Sequence, residues 1–422
     1  MIRLLALLVA LLAGSVPLFA VAASPLPVTT PADAGFSSER LARLHQTLDQ
    51  AVDAGRYSGY VVLLARDGKL VDQHAHGWRD VENKAPLAPD SIVRIHSMTK
   101  IFTSVAILTL MEDGRLNLFD RVEKYLPALK DRKVLTGGTA DSPVLVNASR
   151  PITINDLLTH TAGYYYNETW SAGSPVLIEL FGRARIWEAA NLADFVQRVA
   201  LLPLSDQPGT RFRYGISTDL LGAIVEQVSG QRLDQYFQER ILGPLGMKDT
   251  AFWISPENVS RRAKSYTRSP GGLVAVPDEA RRNVGPDHGI LSGGGGLWST
   301  ANDYVRFAQM LLNGGQLDGV RILSRKSVEL MCQNHIAHIA DPHPFGRLDQ
   351  GFGFGVRMVA DQGRSQTLGS PGMFGWDGAA STLVWMDPQE RLVSLLILQH
   401  FPFDQDSIHA TFANGVYSAL EN

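Results

Sequence analysis

Cysteine is almost absent from this chain, since Cys332 is the single one in 422 residues. One thiol cannot close an internal disulfide, so a large apolar core must stabilise the fold. We interpret Cys332 as a small buried residue rather than a nucleophile, because it follows the largely apolar run 328–331.

A strong charge of either sign is also absent. Lys and Arg number 39 against 42 Asp and Glu, which gives a net charge of −3. No cluster of basic residues is interleaved with aromatic ones, so we expect no nucleic-acid partner. With 45% hydrophobic and 19% charged residues, the composition is typical of a soluble globular protein.

Beyond the N-terminus, no apolar run approaches the length of a membrane span. Arg3 precedes the apolar residues 4–12, and small residues follow at 20–22, a pattern typical of a secretory signal peptide. We predict a signal peptide over residues 1–23 and a periplasmic or secreted protein without stable membrane insertion after cleavage. An uncleaved membrane anchor is the alternative, although the run is short for a span.

Several catalytic motifs are missing as well. No G-x-S-x-G is present, which argues against the nucleophile elbow of an α/β-hydrolase. No H-E-x-x-H or paired-cysteine motif supports a zinc peptidase. The glycines at 293–296 are not followed by the Lys-Ser/Thr of a phosphate-binding loop, so a nucleotide site is not expected.

Ser97 and Lys100 form the one S-x-x-K in the chain. They open a helical run over 101–111, which Gly114 ends. The spacing puts the hydroxyl and the amine on one helix face, where the lysine, or a base that it supports, can remove the serine proton. The positive end of the helix would favour the resulting alkoxide. An N-capping serine beside a solvated lysine is the alternative.

Strand and helix patterns lie near both ends of the chain. They predict a helix, a hairpin, a second pair of strands and a last helix, over residues 37–54, 60–74, 380–398 and 407–420. We therefore expect an α+β fold whose antiparallel sheet is built from both termini, with flanking helices. One domain would cover 24–422, with an α/β part at about 24–113 and 299–422 and a mainly helical lobe at about 114–298.

The segment from Ser97 to Ser104 resembles the nucleophile helix of serine β-lactamases, penicillin-binding peptidases and related esterases. It is most similar to the class C β-lactamase branch, which includes the family VIII carboxylesterases. Further stretches match that branch in order, at residues 157–163, 208–214, 244–247 and 296–300. The resemblance implies the β-lactamase/transpeptidase-like fold and a serine hydrolase that forms an acyl-enzyme on a small-molecule substrate without a cofactor.

Tyr214 falls where the family carries its catalytic tyrosine. A phenol is a poor base at neutral pH, and we expect the ammonium of Lys100 to lower the pKa of Tyr214. Whether Lys100 or Tyr214 is the base stays open, because the two would titrate as a coupled pair.

The tyrosine motif departs from that of β-lactamases two residues later. Ile216 stands where the family has asparagine, and its side chain cannot donate a hydrogen bond to substrate. The pattern is more like that of the esterase members. Ser217 or Asp219 could compensate, although Asp219 is better interpreted as a residue that caps or stabilises a helix start.

The third family motif should lie on an edge strand lining the site, and it corresponds to residues 375–379, just before the strand predicted from 380. Trp376 would take the place of the cationic Lys of β-lactamases, and it cannot pair with a substrate carboxylate. Gly378 would let backbone approach the acyl group, and the amides of Ser97 and Ala379 would form the oxyanion hole. A packed strand-end aromatic is the alternative for Trp376.

Two more groups of residues are candidates for ligand contacts. Tyr164, the first of three consecutive tyrosines, could shape an apolar acyl pocket or simply pack the helical lobe. His335, His338 and His343 could hold zinc in an exported protein, but the family pattern contains no such site and we expect no metal.

These observations predict hydrolysis of a β-lactam, of a small carboxylic ester, or of both at one site. Export favours β-lactams and peptidoglycan peptides, whereas Ile216 and Trp376 remove polar groups that hold such substrates. The alternatives are a D-amino-acid peptidase or transpeptidase and a non-catalytic binding protein on the same fold.

Overall fold

The computed structural model describes residues 26–277, 285 and 289–422. The predicted signal peptide at 1–23 lies outside the described residues. Within them, no helix combines the length and the apolar character needed to cross a membrane. The division into an α/β part and a helical lobe stays a prediction.

An eight-stranded antiparallel sheet forms the centre of the α/β part. Its strands, in chain order, are β1 Gly59–Arg66, β2 Lys69–Asp80, β3 Ala85–Pro86, β4 Gln350–Phe352, β5 Arg357–Val359, β6 Phe374–Asp377, β7 Leu383–Asp387 and β8 Leu392–Ile397. Their spatial order is β4-β5-β6-β7-β8-β1-β2-β3. The N-terminal and C-terminal strands meet where β1 pairs with β8, with Val61 opposite Ile397. The α+β fold predicted from both termini is confirmed.

The helices cover this sheet and build the region beside it. They are α1 Ser38–Asp53, α2 Thr99–Glu112, α3 Ile154–Leu158, α4 Thr169–Ala172, α5 Pro175–Ala184, α6 Leu192–Val199, α7 Ser217–Ser229, α8 Leu233–Phe237, α9 Ala301–Leu312, α10 Arg325–Met331 and α11 Ile408–Ser418. Short strand pairs outside the main sheet join Val93–Arg94 to Trp298–Ser299 and Lys133–Gly138 to Pro143–Asn147. Tyr266–Ser269 pairs with Gly272–Ala275 and with His400–Phe401.

Strand β1 is buried over all eight residues because helices lie on both of its faces. Val62 and Leu64 belong to the core that α1 and α11 complete, whereas Val61 and Leu63 belong to the core that contains α2 and α9. Alternate side chains of a strand point to opposite faces, so one apolar run supplies both cores.

The sequence predicted that the third family motif lies on an edge strand, and this is wrong. Residues Phe374–Asp377 are themselves strand β6, and β4 and β5 lie outside it. Both outer strands have only three residues, too few to show a period in the sequence. The strand expected from 380 begins at Leu383, because the chain first turns at Ser381, whose φ is 67°.

Helix α2 runs through the core, and twelve consecutive residues from Thr99 to Leu110 are buried. A helix that is apolar on every side is buried on every side, which places its start inside the molecule. Ser97 lies in a single 3₁₀ turn, His96–Met98, directly before α2 and not in the first α-helical turn. Gly114, with φ of 69°, follows the C-cap residue Asp113 and takes the left-handed conformation that ends the run.

Candidate active site

Ser97 and Lys100 lie side by side at the buried start of α2. Lys100 Nζ is 3.2 Å from Ser97 Oγ, and the lysine is 0% exposed. The alternative of a solvated lysine is therefore wrong. Ser97 is not a cap either, since the N-cap residue of α2 is Met98 and no side chain caps the helix. Burying a lysine is costly unless polar groups surround its nitrogen, so its neighbours define the site.

The Lys100 amine donates hydrogen bonds to two further oxygen atoms. Gly294 O lies 2.6 Å and Tyr166 OH 3.1 Å from Nζ. Sequence reasoning missed both residues. Gly294 belongs to a glycine run far along the chain, and Tyr166 is the last of the three tyrosines of which Tyr164 was chosen. Nothing in a loop sequence shows which of three adjacent rings faces a cleft.

Tyr214 lies on the other side of Lys100, whose nitrogen is 4.5 Å from the centre of the phenol ring. The Tyr214 hydroxyl accepts a hydrogen bond from Trp376 Nε1 at 3.2 Å. Burial raises the pKa of Tyr214 above its usual value of 10, an effect that outweighs the opposing hydrogen bonds of Ser97 and Trp376. The expectation of a lowered pKa is therefore wrong, because desolvation was not readable from the sequence.

Trp376 is buried behind Tyr214 and does not line the cleft. The Arg357 guanidinium lies 5.4 Å from its ring centre and forms an ion pair with Asp377, the next residue on β6. These contacts hold the indole so that its N–H meets the tyrosine hydroxyl. The structure thus shows Trp376 as a partner of Tyr214 and not as a group exposed to substrate.

Gly378 follows β6 at a point of close backbone approach. A Cβ at this position would lie 2.5 Å from the carbonyl oxygen of Ile95, two residues before Ser97. Only glycine brings the strand end so near the turn that carries the serine. The next residue, Ala379, is exposed and lines the cleft with Ser97. Its backbone N–H makes no hydrogen bond to another described residue.

Two predicted contact residues lie elsewhere. Ile216 is fully buried at the start of α7 and is not among the residues that line the cleft. Tyr164 is fully buried in the core, where burial raises the pKa of its phenol, so the prediction of a pocket-shaping role is wrong. The apolar loop folds Tyr164 and Tyr165 inward and leaves Tyr166 at the cleft.

The cleft in front of Ser97 has a volume of about 400 Å³. Aromatic rings form a large part of its wall, and the lining residues include Tyr166, Trp170, Trp187, Tyr214 and Phe401. Arg94, His96 and Glu168 supply charged or titratable groups.

Two exposed rings from distant segments meet above Tyr214, and we call them the rim aromatics. Trp170, on α4, is 56% exposed, and Phe345, in the loop before β4, is 51% exposed. Their centroids lie 6.1 and 5.5 Å from that of Tyr214, and 6.0 Å from each other. Exposed aromatic surface beside a cleft is available to bind apolar parts of a ligand.

His96 adopts a left-handed conformation, with φ of 45°, immediately before Ser97. Such a backbone is uncommon for residues other than glycine and is often found at functional sites. It turns the chain from Ile95 into the 3₁₀ turn that presents the serine. No feature of the sequence marked this position.

The three histidines considered as zinc ligands are not grouped into a metal site in the described parts of the chain. His335 Nε2 lies 2.8 Å from the Leu330 carbonyl oxygen, and its ring stacks 3.9 Å from that of Phe354. Burial lowers the pKa of His335. Across the residues that the structure describes, no three His, Cys, Asp or Glu side chains are grouped so that they could hold a metal ion.

Comparison with known proteins shows the family of this chain. The family model described as Beta-lactamase matches residues 44–416. Protein Rv1367c of Mycobacterium tuberculosis is 36% identical over 373 residues, which cover 84% of this chain and 89% of that protein. The lovastatin esterase of Penicillium rubens is 30% identical over 397 residues, covering 88% and 97%.

Among solved structures, EstCE1, described as a hydrolase with promiscuous acyltransferase activity, superimposes with a TM-score of 0.76 at 27% identity, covering 90% of this chain and 99% of EstCE1. Serine hydrolases of this fold generally need no cofactor. The family match spans most of the chain, and the chain belongs to the beta-lactamase family of serine hydrolases.

Proposed function

We propose that this protein is an exported serine esterase that hydrolyses carboxylic esters with an apolar acyl or alcohol group. The observation that carries the proposal is the aromatic wall of the cleft directly in front of Ser97. Ile216 and Trp376 stand at the positions of the asparagine and lysine that β-lactamases use for substrate, and both are buried and do not line this wall. The esterase among the relatives supports the same substrate class.

In the proposed acylation step, Lys100 is the base. An ammonium would donate to Ser97 Oγ, Tyr166 OH and Gly294 O, which uses all three of its hydrogens. A neutral amine keeps two donors for the tyrosine and the carbonyl and turns its lone pair to the serine hydroxyl. The proton then moves from Oγ to Nζ as Oγ bonds to the ester carbonyl carbon.

Tyr214 is the proposed donor to the leaving group. Its raised pKa keeps the phenol protonated at neutral pH, which suits a hydrogen-bond donor better than a base. The hydroxyl oxygen accepts a hydrogen bond from Trp376 Nε1, so its own hydrogen remains available for donation to a different group. Through Tyr214, the proton taken by Lys100 passes to the departing alkoxide as its bond to the carbonyl carbon breaks.

The amides of Ser97 and Ala379 are proposed to stabilise the carbonyl oxygen as it becomes negative. The free N–H of Ala379 and its place in the cleft support this role. Donors set in place before reaction are typically worth about 3 kcal/mol each. Water then attacks the acyl-enzyme and releases the acid, with Lys100 again taking a proton.

Export is part of the proposal. It rests on the sequence of residues 1–23, with its arginine, apolar run and small residues before the cleavage point. A protein released outside the cytoplasm would need no disulfide here, since two extensive apolar cores stabilise the fold.

The test is a parallel kinetic screen with nitrophenyl esters of increasing acyl length, several β-lactams and D-Ala-D-Ala peptides. We expect the highest kcat/KM for medium or long acyl esters and weak or no turnover of the other two classes. Faster hydrolysis of a β-lactam or peptide than of any ester would contradict the proposed substrate.

A covalent probe tests whether Ser97 is a nucleophile at all. A fluorophosphonate should add one adduct to the wild type and none to Ser97→Ala. A folded wild type without an adduct would instead favour the non-catalytic alternative. The rates should be unchanged by a chelator.

A further inference from the structure

Asp219 is a buried carboxylate that the proposed chemistry does not use directly. It is the third residue of α7 and is 0% exposed. It does not cap α7, which begins without a side-chain cap, but it lies in the first turn, where a negative charge can stabilise the helix start as the sequence indicated. A buried carboxylate is costly without hydrogen bonds, so its partners show what it holds.

One oxygen of Asp219 makes both of its hydrogen bonds. Oδ1 accepts from Ser292 Oγ at 2.5 Å and from the backbone N–H of Gly294 at 3.1 Å. Oδ2 is buried without a hydrogen-bond partner in the described parts of the chain. A side chain at Gly294 would collide with the carboxylate, so this approach requires glycine.

Gly294 links this carboxylate to the reacting groups. Its N–H is fixed by Asp219, and its carbonyl oxygen accepts the 2.6 Å hydrogen bond from Lys100 Nζ. The neighbouring glycines have no side chains with which to anchor the loop. A second anchor, from Thr103 Oγ1 to Gly293 O at 2.8 Å, comes from α2 itself.

We propose that Asp219 is a positioning residue, which acts through Gly294 to set the place of Lys100 Nζ relative to Ser97 Oγ. This inference rests on the proposed role of Lys100 as the base. The acceptor oxygen is the essential element and the charge is not, because Oδ1 takes both hydrogen bonds. Asparagine can keep that oxygen and put its amide nitrogen where Oδ2 now lies.

Two variants separate the role of the acceptor oxygen of Asp219 from the role of its charge. Asp219→Asn keeps the acceptor and removes the charge, whereas Asp219→Ala removes both. The rate at which a fluorophosphonate labels Ser97 reports acylation without depending on the choice of ester. We expect Asp219→Ala to lower this rate and the esterase kcat by about 30- to 100-fold with KM within about twofold, and Asp219→Asn to stay within about threefold, since misplacement of a catalytic group costs on the order of 10²-fold.

Glu226→Gln is the matched control, because this carboxylate lies two turns further along α7 and, within the described residues, accepts one hydrogen bond, from Leu233 N at 2.9 Å. It should label at the wild-type rate, and its melting temperature shows what loss of charge on this helix does to stability. Equal damage in Asp219→Asn and Asp219→Ala, or wild-type labelling in a folded Asp219→Ala, would overturn the inference.

If Asp219→Ala fails to fold, Gly294→Ala provides a second route, since its methyl group would push Gly294 away from Asp219. We expect a comparable loss of labelling with KM little changed, and an unchanged rate would overturn the inference. A wild type that is not labelled at all would remove the proposed function itself, so the two failures are distinguishable.

Discussion

The floor of the cleft and its rim are built in opposite ways. We define the floor as Ser97, Lys100 and Tyr214, of which Lys100 and Tyr214 are buried and connected by hydrogen bonds to backbone and neighbouring side chains. The rim aromatics, Trp170 and Phe345, are more than half exposed and contact the rest of the site through their rings. From this difference we predict that the reaction depends on the floor and the choice of substrate on the rim.

Replacing the nucleophile is the most severe test of that separation. Ser97→Ala should lower kcat by at least about 10⁴-fold for every substrate, because the floor then lacks the atom that forms the acyl bond. Binding at the rim should persist, seen as quenching of tryptophan fluorescence by a medium-chain carboxylic acid. Residual turnover above this level would point to another nucleophile, and loss of binding would show that floor and rim are not separate.

Weakening one hydrogen bond within the floor should have a smaller effect. Trp376→Phe removes the donor to Tyr214 and keeps most of the packed ring, so we expect kcat to fall about 10-fold with KM nearly unchanged. Stopped-flow kinetics and a melting curve would separate this effect from unfolding. A change confined to KM would mean that Trp376 contacts substrate after all, as the sequence first suggested.

Changes at the rim should alter KM and depend on the ester. Trp170→Ala and Phe345→Ala should each raise KM about 5- to 10-fold for an octanoate ester, because burial of apolar area is lost, and leave an acetate ester within about twofold. Phe119→Ala is the control, since this ring is 77% exposed and, unlike Trp170 and Phe345, has no ring contact with Tyr214. Equal losses for the two esters would place the rim in the catalytic machinery.

The smallest expected effect is on stability and comes from Asp303, which belongs to neither the floor nor the rim. Burial raises the pKa of this carboxyl to about 6, although Thr250 and the Asp249 amide donate to it. Its protonated form therefore contributes stability that is complete below about pH 4 and is lost as the pH rises through 6. Relative to the wild type, Asp303→Asn should gain about 1–2 kcal/mol between pH 4 and pH 7.

Urea unfolding at pH 4.5 and 7.5 would measure the Asp303 effect, with the esterase pH profile as the check on function. That profile should not change, because Asp303 does not line the cleft. A constant stability difference across this range would contradict the raised pKa.

The sequence was most informative where all the residues of a motif lie within one short stretch of the chain. The spacing of Ser97 and Lys100 is local, so it predicted that their side chains would lie together, and the paired termini predicted the sheet. Tyr166 and Gly294 were missed, and the contact of Asp219 with Gly294 was not foreseen, because these contacts form between distant segments. The raised pKa of Tyr214 depends on burial from several directions, which no single stretch of sequence encodes.

The pairing of β1 with β8 means that the sheet can be completed only late in synthesis. Strand β1 ends at Arg66, and its neighbour begins only at Leu392, so one edge of β1 stays open until nearly the whole polypeptide has been made. Trp376 and Ala379 belong to the same late segment. A nascent chain therefore holds the serine and the lysine long before it holds the groups that complete their surroundings, and we expect hydrolysis to require that the last strands have emerged and paired.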